Sequence, residues 1–300
     1  MQHNPFQPAQ VVSLPKKLYQ HKDVQVQVLR LDVIHPVVSG NKWYKLKAYL
    51  SDAAAQNKTT IVTFGGAFSN HIIATAAACR LAGFQSVGII RGEAPPQLSH
   101  TLADARQQGM ELHFISRAVY GKKEVPVAVT ERYGADNIYL IGEGGYGTKG
   151  MEGAMDILKA WPTEAYTHIG AAAGTGTMLA GLAAAAGPQQ QVIGISVLKN
   201  NFDLEKAVQQ LLPAPNNNLT LLHQFHWGGY AKKTAALLQF MNDWYRQTGI
   251  PSDFVYTAKL FYAVDQLIQQ DYFAPGSQIL LIHSGGLQGN LSLPKGTLIF

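Results

Sequence analysis

The sequence predicts an α/β fold made of two open, twisted parallel sheets with helices on both faces. Three observations support this prediction. Strand-like apolar segments alternate with helix-like segments along most of the chain, the order typical of helix-covered parallel sheets. The chain has 300 residues, 47% of them hydrophobic, which is enough for two domains. Loops rich in Gly follow several strands, so we expect a ligand between the domains, at the carboxyl ends of the strands.

The elements follow from the local pattern. Residues 1–22 are expected to form an irregular arm, and the alternation over Val24–His35 predicts a strand or hairpin arm. The loop Pro36–Asn41 precedes a helix predicted for Lys42–Gln56. Further strands are predicted at Thr60–Phe64, Ser86–Ile90, Glu111–Ile115, Asn137–Ile141, 167–173, Val192–Ser196, Thr220–Phe225 and Gln278–His283. Further helices are predicted at Ser69–Leu81, Ser99–Gln108, Lys123–Tyr133, Gly150–Trp161, Asp203–Leu211, Lys233–Gln247 and Lys259–Gln269.

Charge and composition narrow the classes of partner. The net charge is +5, but the 24 Lys and Arg residues form no basic run, so we expect an anionic small molecule and no nucleic acid. The single cysteine, Cys79, excludes an intrachain disulfide and fits a cytoplasmic protein. No secretory signal or membrane-spanning run is expected. Only 14% of residues are charged, which suggests surface buried in subunit contacts, as in a homodimer.

A loop rich in Gly and Thr follows the strand that begins at Thr167. Gly174 and Gly176 allow a tight turn and a close approach to a ligand, and Thr175 and Thr177 add hydroxyl donors. A helix starting near Thr177 would direct unpaired N–H groups and its positive dipole end toward that ligand. The loop therefore predicts a phosphate site.

The sequence lacks the motifs of several common binding and catalytic sites. The sequence lacks the P-loop motif, and the strand after the Gly/Thr loop ends in Ser196-Val-Leu-Lys-Asn200, without the carboxylate that a dinucleotide ribose needs. A compact phosphomonoester fits this loop better. The histidines form no H-E-x-x-H, and no metal site is predicted. No G-x-S-x-G nucleophile elbow is present.

Two segments carry candidate catalytic groups. Lys42 follows Gly-Asn where a loop becomes a helix, and burial would make its neutral amine available to attack an aldehyde. The alternative is a solvated first-turn lysine. Ser69 is a predicted N-cap, with Asn70 and His71 in the first helical turn, a geometry suited to a carboxylate. The alternative there is ordinary capping.

Taken in order, these segments resemble the pyridoxal-phosphate (PLP) enzymes that include 1-aminocyclopropane-1-carboxylate (ACC) deaminase and D-cysteine desulfhydrase, within the tryptophan-synthase-β-like group of fold type II. The resemblance covers almost the whole chain. It rests on these segments: Gly40-Asn-Lys-Trp-Tyr-Lys-Leu46, similar to G-N-K-x-R-K-L; Ser69-Asn-His71; the loop Gly174–Thr177; Trp227-Gly-Gly-Tyr230; Val255-Tyr-Thr-Ala-Lys259; and His283-Ser-Gly-Gly286.

The resemblance implies a role for each segment. Lys42 would carry the cofactor, pyridoxal 5′-phosphate, and act as base. Gly174, Thr175, Gly176 and Thr177 would bind its phosphate, Asn70 its 3′-oxygen and Ser284 its pyridine nitrogen. Ser69, Asn70, His71 and Thr257 would bind a small amino-acid substrate, with Ser69, Tyr256 and Tyr230 in catalytic roles. The implied organisation is a large cofactor-binding domain, 1–45 plus 157–300, and a small α/β domain, 46–156, with the cofactor in the cleft between them.

Departures from the family pattern bear on the reaction. Tyr44 replaces Arg, Ala258 replaces Gly, and the segment around Tyr230 is shortened. Thr257 and Ser284 stand where ACC deaminases are expected to have Glu and Leu, and both are hydroxyl residues, as in D-cysteine desulfhydrases. The resemblance therefore favours conversion of D-cysteine to pyruvate, hydrogen sulfide and ammonia. The alternatives are an ACC deaminase producing α-ketobutyrate, or a homologue that binds PLP or an amino acid without turnover.

Overall fold

A computed structural model describes residues 5–300. The chain divides into two compact units. The first comprises the residues up to Asn41 together with Ala154–Phe300, and the second is Lys42–Gly153. The chain therefore passes from the first unit to the second immediately before Lys42.

The strands of the described residues are β1 (Gln10–Ser13), β2 (Gln25–Arg30), β3 (Thr60–Gly65), β4 (Gln85–Arg91), β5 (Glu111–Ile115), β6 (Ile138–Ile141), β7 (His168–Ala173), β8 (Gln191–Ser196), β9 (Leu219–Leu222) and β10 (Gln278–His283). The helices are α1 (Lys17–His21), α2 (Asn41–Ala55), α3 (Asn70–Ala82), α4 (His100–Gln107), α5 (Arg117–Tyr120), α6 (Val127–Tyr133), α7 (Thr148–Lys159), α8 (Thr177–Ala185), α9 (Asp203–Gln209), α10 (Ala235–Thr248) and α11 (Thr257–Gln269). None of these helices is long and apolar enough to span a bilayer.

The first unit contains a sheet of order β1-β2-β10-β7-β8-β9. All neighbouring pairs are parallel except β1 and β2, which are antiparallel. The predicted parallel α/β architecture is confirmed, and a mixed sheet with one antiparallel edge strand is a common variant. The central strands have almost no exposed residues, because helices cover parallel sheets on both faces.

The expectation of an irregular arm over residues 1–22 is wrong for part of that segment. Residues 1–4 lie outside the described residues, but Gln10–Ser13 form an edge strand and Lys17–His21 a short helix. Lys16 and Tyr19 both hydrogen-bond the Asp265 carboxylate of α11, and Tyr19 is buried. These tertiary contacts order a segment that has little periodicity of its own.

The second unit contains a sheet of order β5-β4-β3-β6, parallel throughout. Every residue of β3 is buried, and the Ala-rich helix α3 is buried from His71 to Cys79. Small side chains let this helix lie close to its sheet. A Cβ on Gly65 would lie 2.4 Å from Ile72 Cγ1, so glycine is required where β3 passes into the loop before α3.

Helix α7 approaches α2 closely at Gly153, where a Cβ would lie 2.2 Å from the Tyr44 carbonyl oxygen. We expect Gly153→Ala to lower the free energy of unfolding by about 1–3 kcal/mol through overpacking. Gly121→Ala is the matched control: its φ is −59°, its nearest Cβ contact would be 3.4 Å, and a change within about 1 kcal/mol is expected. Urea denaturation of both variants tests this prediction, and equal midpoints would contradict it.

Candidate active site

In the first unit, the loops after β2, β10 and β7 emerge from one edge of the sheet, because these strands are adjacent and parallel. Three predicted segments lie in these loops: the approach to Lys42 that ends at Asn41, the segment Ser284–Gly286, and the loop Gly174–Thr177. The topology thus brings segments from distant parts of the sequence to one edge.

The approach to Lys42 packs directly on the backbone after β10. Gly40 has φ +66°, and a Cβ there would lie 1.9 Å from the Ser284 carbonyl oxygen. The Asn41 N–H donates a hydrogen bond of 3.2 Å to that oxygen. Only glycine fits at position 40, since both the backbone angle and the contact exclude a side chain. The residue after this contact is Lys42.

The Gly/Thr loop has the features of an anion site. Helix α8 begins at Thr177, as predicted, and no side chain caps its first turn. Gly176 has φ +81°, and the Thr175 and Thr177 hydroxyls lie 3.2 Å apart. A Cβ on Gly174 would lie 3.2 Å from the ring of Tyr256. The loop therefore offers backbone N–H groups and hydroxyls beside an aromatic ring.

The two predicted tyrosines meet in the first unit. The rings of Tyr230 and Tyr256 have centroids 6.1 Å apart and planes at 74°. Tyr230 is half exposed. Tyr256 is held through its backbone, because the buried carboxylate of Asp253 accepts the N–H groups of Val255 and Tyr256 at 2.9 Å each.

Thr257 completes this arrangement. Its N–H and its hydroxyl donate to Asp253 Oδ1 at 2.9 and 2.8 Å, and its Oγ1 accepts the Asp253 N–H at 2.8 Å. The side chain is fully buried. Burial raises the pKa of Asp253, although the hydrogen bonds from Thr257 and Tyr256 oppose that shift. In this structure the Thr257 side chain therefore binds Asp253, which also holds the backbone of Tyr256.

His283 fixes the turn that contains Ser284. His283 Nε2 lies 2.8 Å from the Pro251 carbonyl and must donate to it, which leaves Nδ1 to accept the Gly285 N–H at 3.3 Å. Burial lowers the pKa of His283 despite Asp32 nearby. Ser284 is itself buried.

In the second unit, β3 and β6 are parallel neighbours, so the loops leading to α3 and α7 share one edge. Ser69 is the N-cap of α3, as predicted, and its Oγ accepts the Ile72 N–H at 3.4 Å. The first-turn N–H groups of Asn70 and His71 are left for a ligand. Asn70 Oδ1 and His71 Nδ1 are buried and have no partner among the described residues.

Lys42, Lys45 and His71 form a basic cluster in the same unit. Burial and the charges of both lysines hold the pKa of His71 well below its ordinary value. Burial and the Lys42 charge lower the pKa of Lys45, whose Nζ donates to the Gly144 carbonyl at 3.1 Å. The charge of Lys42 thus acts on both of these neighbours.

A family model described as "Pyridoxal-phosphate dependent enzyme" matches residues 7–285. The chain belongs to this family. Its cofactor is accordingly pyridoxal 5′-phosphate, as the sequence motifs predicted.

Several named proteins are similar to the chain. One is a "Bifunctional D-cysteine desulfhydrase/1-aminocyclopropane-1-carboxylate deaminase, mitochondrial" of Arabidopsis thaliana, 28% identical, with 88% of this chain and 73% of that protein covered. A putative ACC deaminase of Pyrococcus horikoshii is 27% identical, with 88% and 85% covered. A D-cysteine desulfhydrase of Serratia proteamaculans is 25% identical, with 87% and 86% covered. The crystal structure of an ACC deaminase homologue has the same fold, with a TM-score of 0.79 at 24% identity over 95% of this chain and 91% of that one.

The residues present fit the cofactor. Its phosphate needs several N–H and O–H donors, which Gly174–Thr177 provides with a helix start that no side chain caps. Its ring hydroxyl and pyridine nitrogen need polar partners. Asn70 Oδ1 has no partner among the described residues, and Ser284 offers a hydroxyl. Its aldehyde needs an amine, and Lys42 is the residue that follows the contact of Gly40 and Asn41 with the Ser284 carbonyl.

Lys259 is a supporting residue. It lies in the segment Val255–Lys259, but the sequence predicted no role for it. It is fully buried, and its Nζ donates to the Gly229 carbonyl at 2.8 Å and the Val197 carbonyl at 3.4 Å. Gly229 immediately precedes Tyr230, so Lys259 fixes the segment that carries this tyrosine. Burial lowers the pKa of Lys259 to about 8, against an upward effect of Asp253.

Lys259 makes stability depend on alkaline pH. Between its folded pKa of about 8 and its ordinary value of 10.5, the unfolded chain binds the proton more strongly, so stability rises with pH. We expect the difference in unfolding free energy between wild type and Lys259→Met to grow in favour of wild type across that range, by at most about 1.4 kcal/mol per pH unit. Denaturant titrations at several pH values measure it, and a constant difference would contradict this assignment.

Proposed function

We propose that the chain catalyses PLP-dependent β-elimination and deamination of a small amino acid, with D-cysteine as substrate. The products are pyruvate, hydrogen sulfide and ammonia, with one water consumed. Bound PLP supplies the electron sink that makes the substrate Cα–H acidic. Relatives named for D-cysteine desulfhydrase and ACC deaminase activity support this reaction class.

The choice of substrate rests on one observation: the carboxylates near Ser284 already accept hydrogen bonds from other protein groups. Every oxygen of Asp253 already accepts hydrogen bonds from the 255–257 backbone or Thr257, and both oxygens of Asp32 accept from Arg30 at 2.7 and 2.6 Å. Ser284 is thus the available partner for a pyridine nitrogen. A hydroxyl can donate to a neutral pyridine but does not hold it protonated as a carboxylate would. A weaker electron sink favours loss of a good leaving group, such as a β-thiol, over opening of a cyclopropane.

The chain's own residues then have distinct tasks. We assign attachment of the cofactor and removal of the Cα proton to Lys42, since a lysine amine can attack an aldehyde and can accept a proton. The first-turn N–H groups of α3 and the Ser69 hydroxyl donate to the substrate carboxylate. Asn70 orients the cofactor ring, and the loop Gly174–Thr177 binds its phosphate. The hydroxyl of Tyr256 or Tyr230 donates a proton to the departing sulfur.

The assignment of Lys42 is tested by borohydride reduction of the purified enzyme followed by peptide mapping. We expect the reduced pyridoxyl group on Lys42, and a decrease in turnover of about 10²–10⁴-fold in Lys42→Ala. Lys47→Ala, an exposed lysine of the same helix, is the matched control and should retain colour and activity. A Lys42→Ala variant as yellow and active as wild type would refute the assignment.

The substrate is tested by incubation with D-cysteine, L-cysteine and ACC. We expect sulfide and pyruvate in equal amounts from D-cysteine, because both arise from one elimination. Faster release of α-ketobutyrate from ACC would instead identify an ACC deaminase. Absence of product from all three, in an enzyme with Lys42-bound cofactor, would contradict the proposed substrate and favour the binding homologue.

A further inference from the structure

The start of helix α11 is connected to both of the predicted tyrosines. Tyr256 is the residue before this helix, and the Asp253 carboxylate accepts its N–H and the N–H groups on either side of it. Lys259 lies in the first turn of α11, and its side chain reaches the loop that carries Tyr230. Tyr256 is therefore joined to α11 through the chain itself, and Tyr230 is joined to it through the Lys259 side chain.

The loop that carries Tyr230 has an unfavourable backbone conformation. Positive φ angles occur at Trp227 (+52°), Gly228 (+89°), Gly229 (+118°) and Ala231 (+53°). Two of these residues have a Cβ, and the left-handed region is unfavourable for them because the Cβ approaches the following carbonyl oxygen. A loop with such a backbone keeps its conformation where the surrounding structure holds it in place.

Lys259 provides a contact that holds this loop. Its side chain is fully buried, and its Nζ donates to the Gly229 carbonyl at 2.8 Å and to the Val197 carbonyl at 3.4 Å. Val197 directly follows β8, and its own N–H donates to the Ala173 carbonyl at the end of β7 at 3.1 Å. The ammonium thus connects the loop to the ends of two interior strands. Burying a charged group without hydrogen bonds is costly, and these two carbonyls meet that requirement.

The loop brings the ring of Tyr230 to the ring of Tyr256. Their centroids lie 6.1 Å apart with planes at 74°, an edge-to-face arrangement that is favourable for aromatic pairs. Half of Tyr230 is exposed, so the position of its ring depends strongly on the backbone that carries it. Tyr256 in turn lies beside the Gly/Thr loop, since a Cβ on Gly174 would lie 3.2 Å from its ring.

We propose that Lys259 is a positioning residue that holds the strained loop 227–231 against the end of β8 and thereby keeps the ring of Tyr230 on that of Tyr256. The inference rests on the proposed catalytic role of these tyrosines. Lys259 contacts neither substrate nor cofactor in this assignment. It fixes the two phenol groups relative to each other, because a hydroxyl that donates a proton to the departing sulfur has to be held in place.

The position of Tyr230 is measured in the full holoenzyme by ¹⁹F NMR, with 3-fluorotyrosine incorporated at position 230 alone. Tyr256→Leu gives the resonance in the absence of the neighbouring ring. We expect Lys259→Met, which has a long apolar side chain without a donor, to move the resonance toward that of Tyr256→Leu. Lys206→Met changes an exposed lysine of α9 and is the matched control, which should keep the wild-type resonance.

A second label separates a local effect from a general loss of structure. Tyr139 lies in the second unit and donates to Asp52 at 2.6 Å, so 3-fluorotyrosine at position 139 should give the same resonance in wild type and Lys259→Met. Lys259→Gln has a shorter side chain with a neutral amide donor, and its Tyr230 resonance should lie between the two limits. This variant decides if Lys259→Met does not fold. A wild-type resonance of Tyr230 in the folded Lys259 variant, or equal changes at positions 230 and 139, would overturn the proposal.

Turnover distinguishes this proposal from the proposed function. With the amino acid that the enzyme converts fastest, we expect Lys259→Met to lower kcat about tenfold with little change in KM, the size of one hydrogen bond to a charged group. In the Tyr230→Phe background the same change should have little effect, because both substitutions act on one hydroxyl. An equal decrease in both backgrounds would overturn the link to Tyr230. If the resonance moves while kcat stays at the wild-type value, the positioning role of Lys259 holds and the catalytic role of Tyr230 fails.

Discussion

The close contact between the Gly40 backbone and the Ser284 carbonyl is the constraint on which the position of Lys42 depends. A Cβ at position 40 would lie 1.9 Å from that oxygen, and the Asn41 N–H completes the contact. Gly285 is part of the same packing, since a Cβ there would lie 3.1 Å from the Gly40 Cα. Two glycines thus bring the backbone before the lysine onto the turn that carries Ser284. His283 holds that turn from the other side by accepting the Gly285 N–H.

Two buried acids in the first unit are occupied by hydrogen bonds within the protein. Asp253 accepts hydrogen bonds from the backbone that carries Tyr256, and Asp32 pairs with Arg30 beside His283. Each would be a plausible partner for a pyridine nitrogen if only residue type and sequence position were known. Because their oxygens accept hydrogen bonds from the protein itself, the proposed function gives the pyridine nitrogen to Ser284 instead. Under that proposal, hydrogen bonds that never touch the substrate influence the choice of reaction.

The sequence was sufficient for the architecture and for the segments that are local in sequence. Alternation of strands and helices predicted the two parallel sheets, and the N-cap Ser69 and the helix start at Thr177 were predicted from a few neighbouring residues. The ordered arm near Lys17 was missed, because its stability comes from Asp265, far along the chain.

The contacts of Thr63 and Lys259 could not be predicted for a related reason. A buried threonine in a strand and a lysine in a helix have no distinctive local pattern. Their partners, Ile141 and Gly229, are brought to them only by the fold. The sequence showed the segment that contains Lys259, but it did not show the carbonyl groups that its side chain binds.

His283 and His71 differ in whether the fold supplies a partner for Nδ1. Both are buried, and in both a hydrogen bond fixes the proton on Nε2. His283 Nε2 donates to the Pro251 carbonyl. His71 Nε2 donates to Thr63, whose own proton goes to the Ile141 carbonyl. The Nδ1 of His283 accepts the Gly285 N–H, so that imidazole is satisfied and its task is to hold a turn. The Nδ1 of His71 has no partner within residues 5–300 and lies in the field of Lys42. Because an unsatisfied buried acceptor lowers stability, the Nδ1 of His71 is destabilising in a way that the satisfied imidazole of His283 is not.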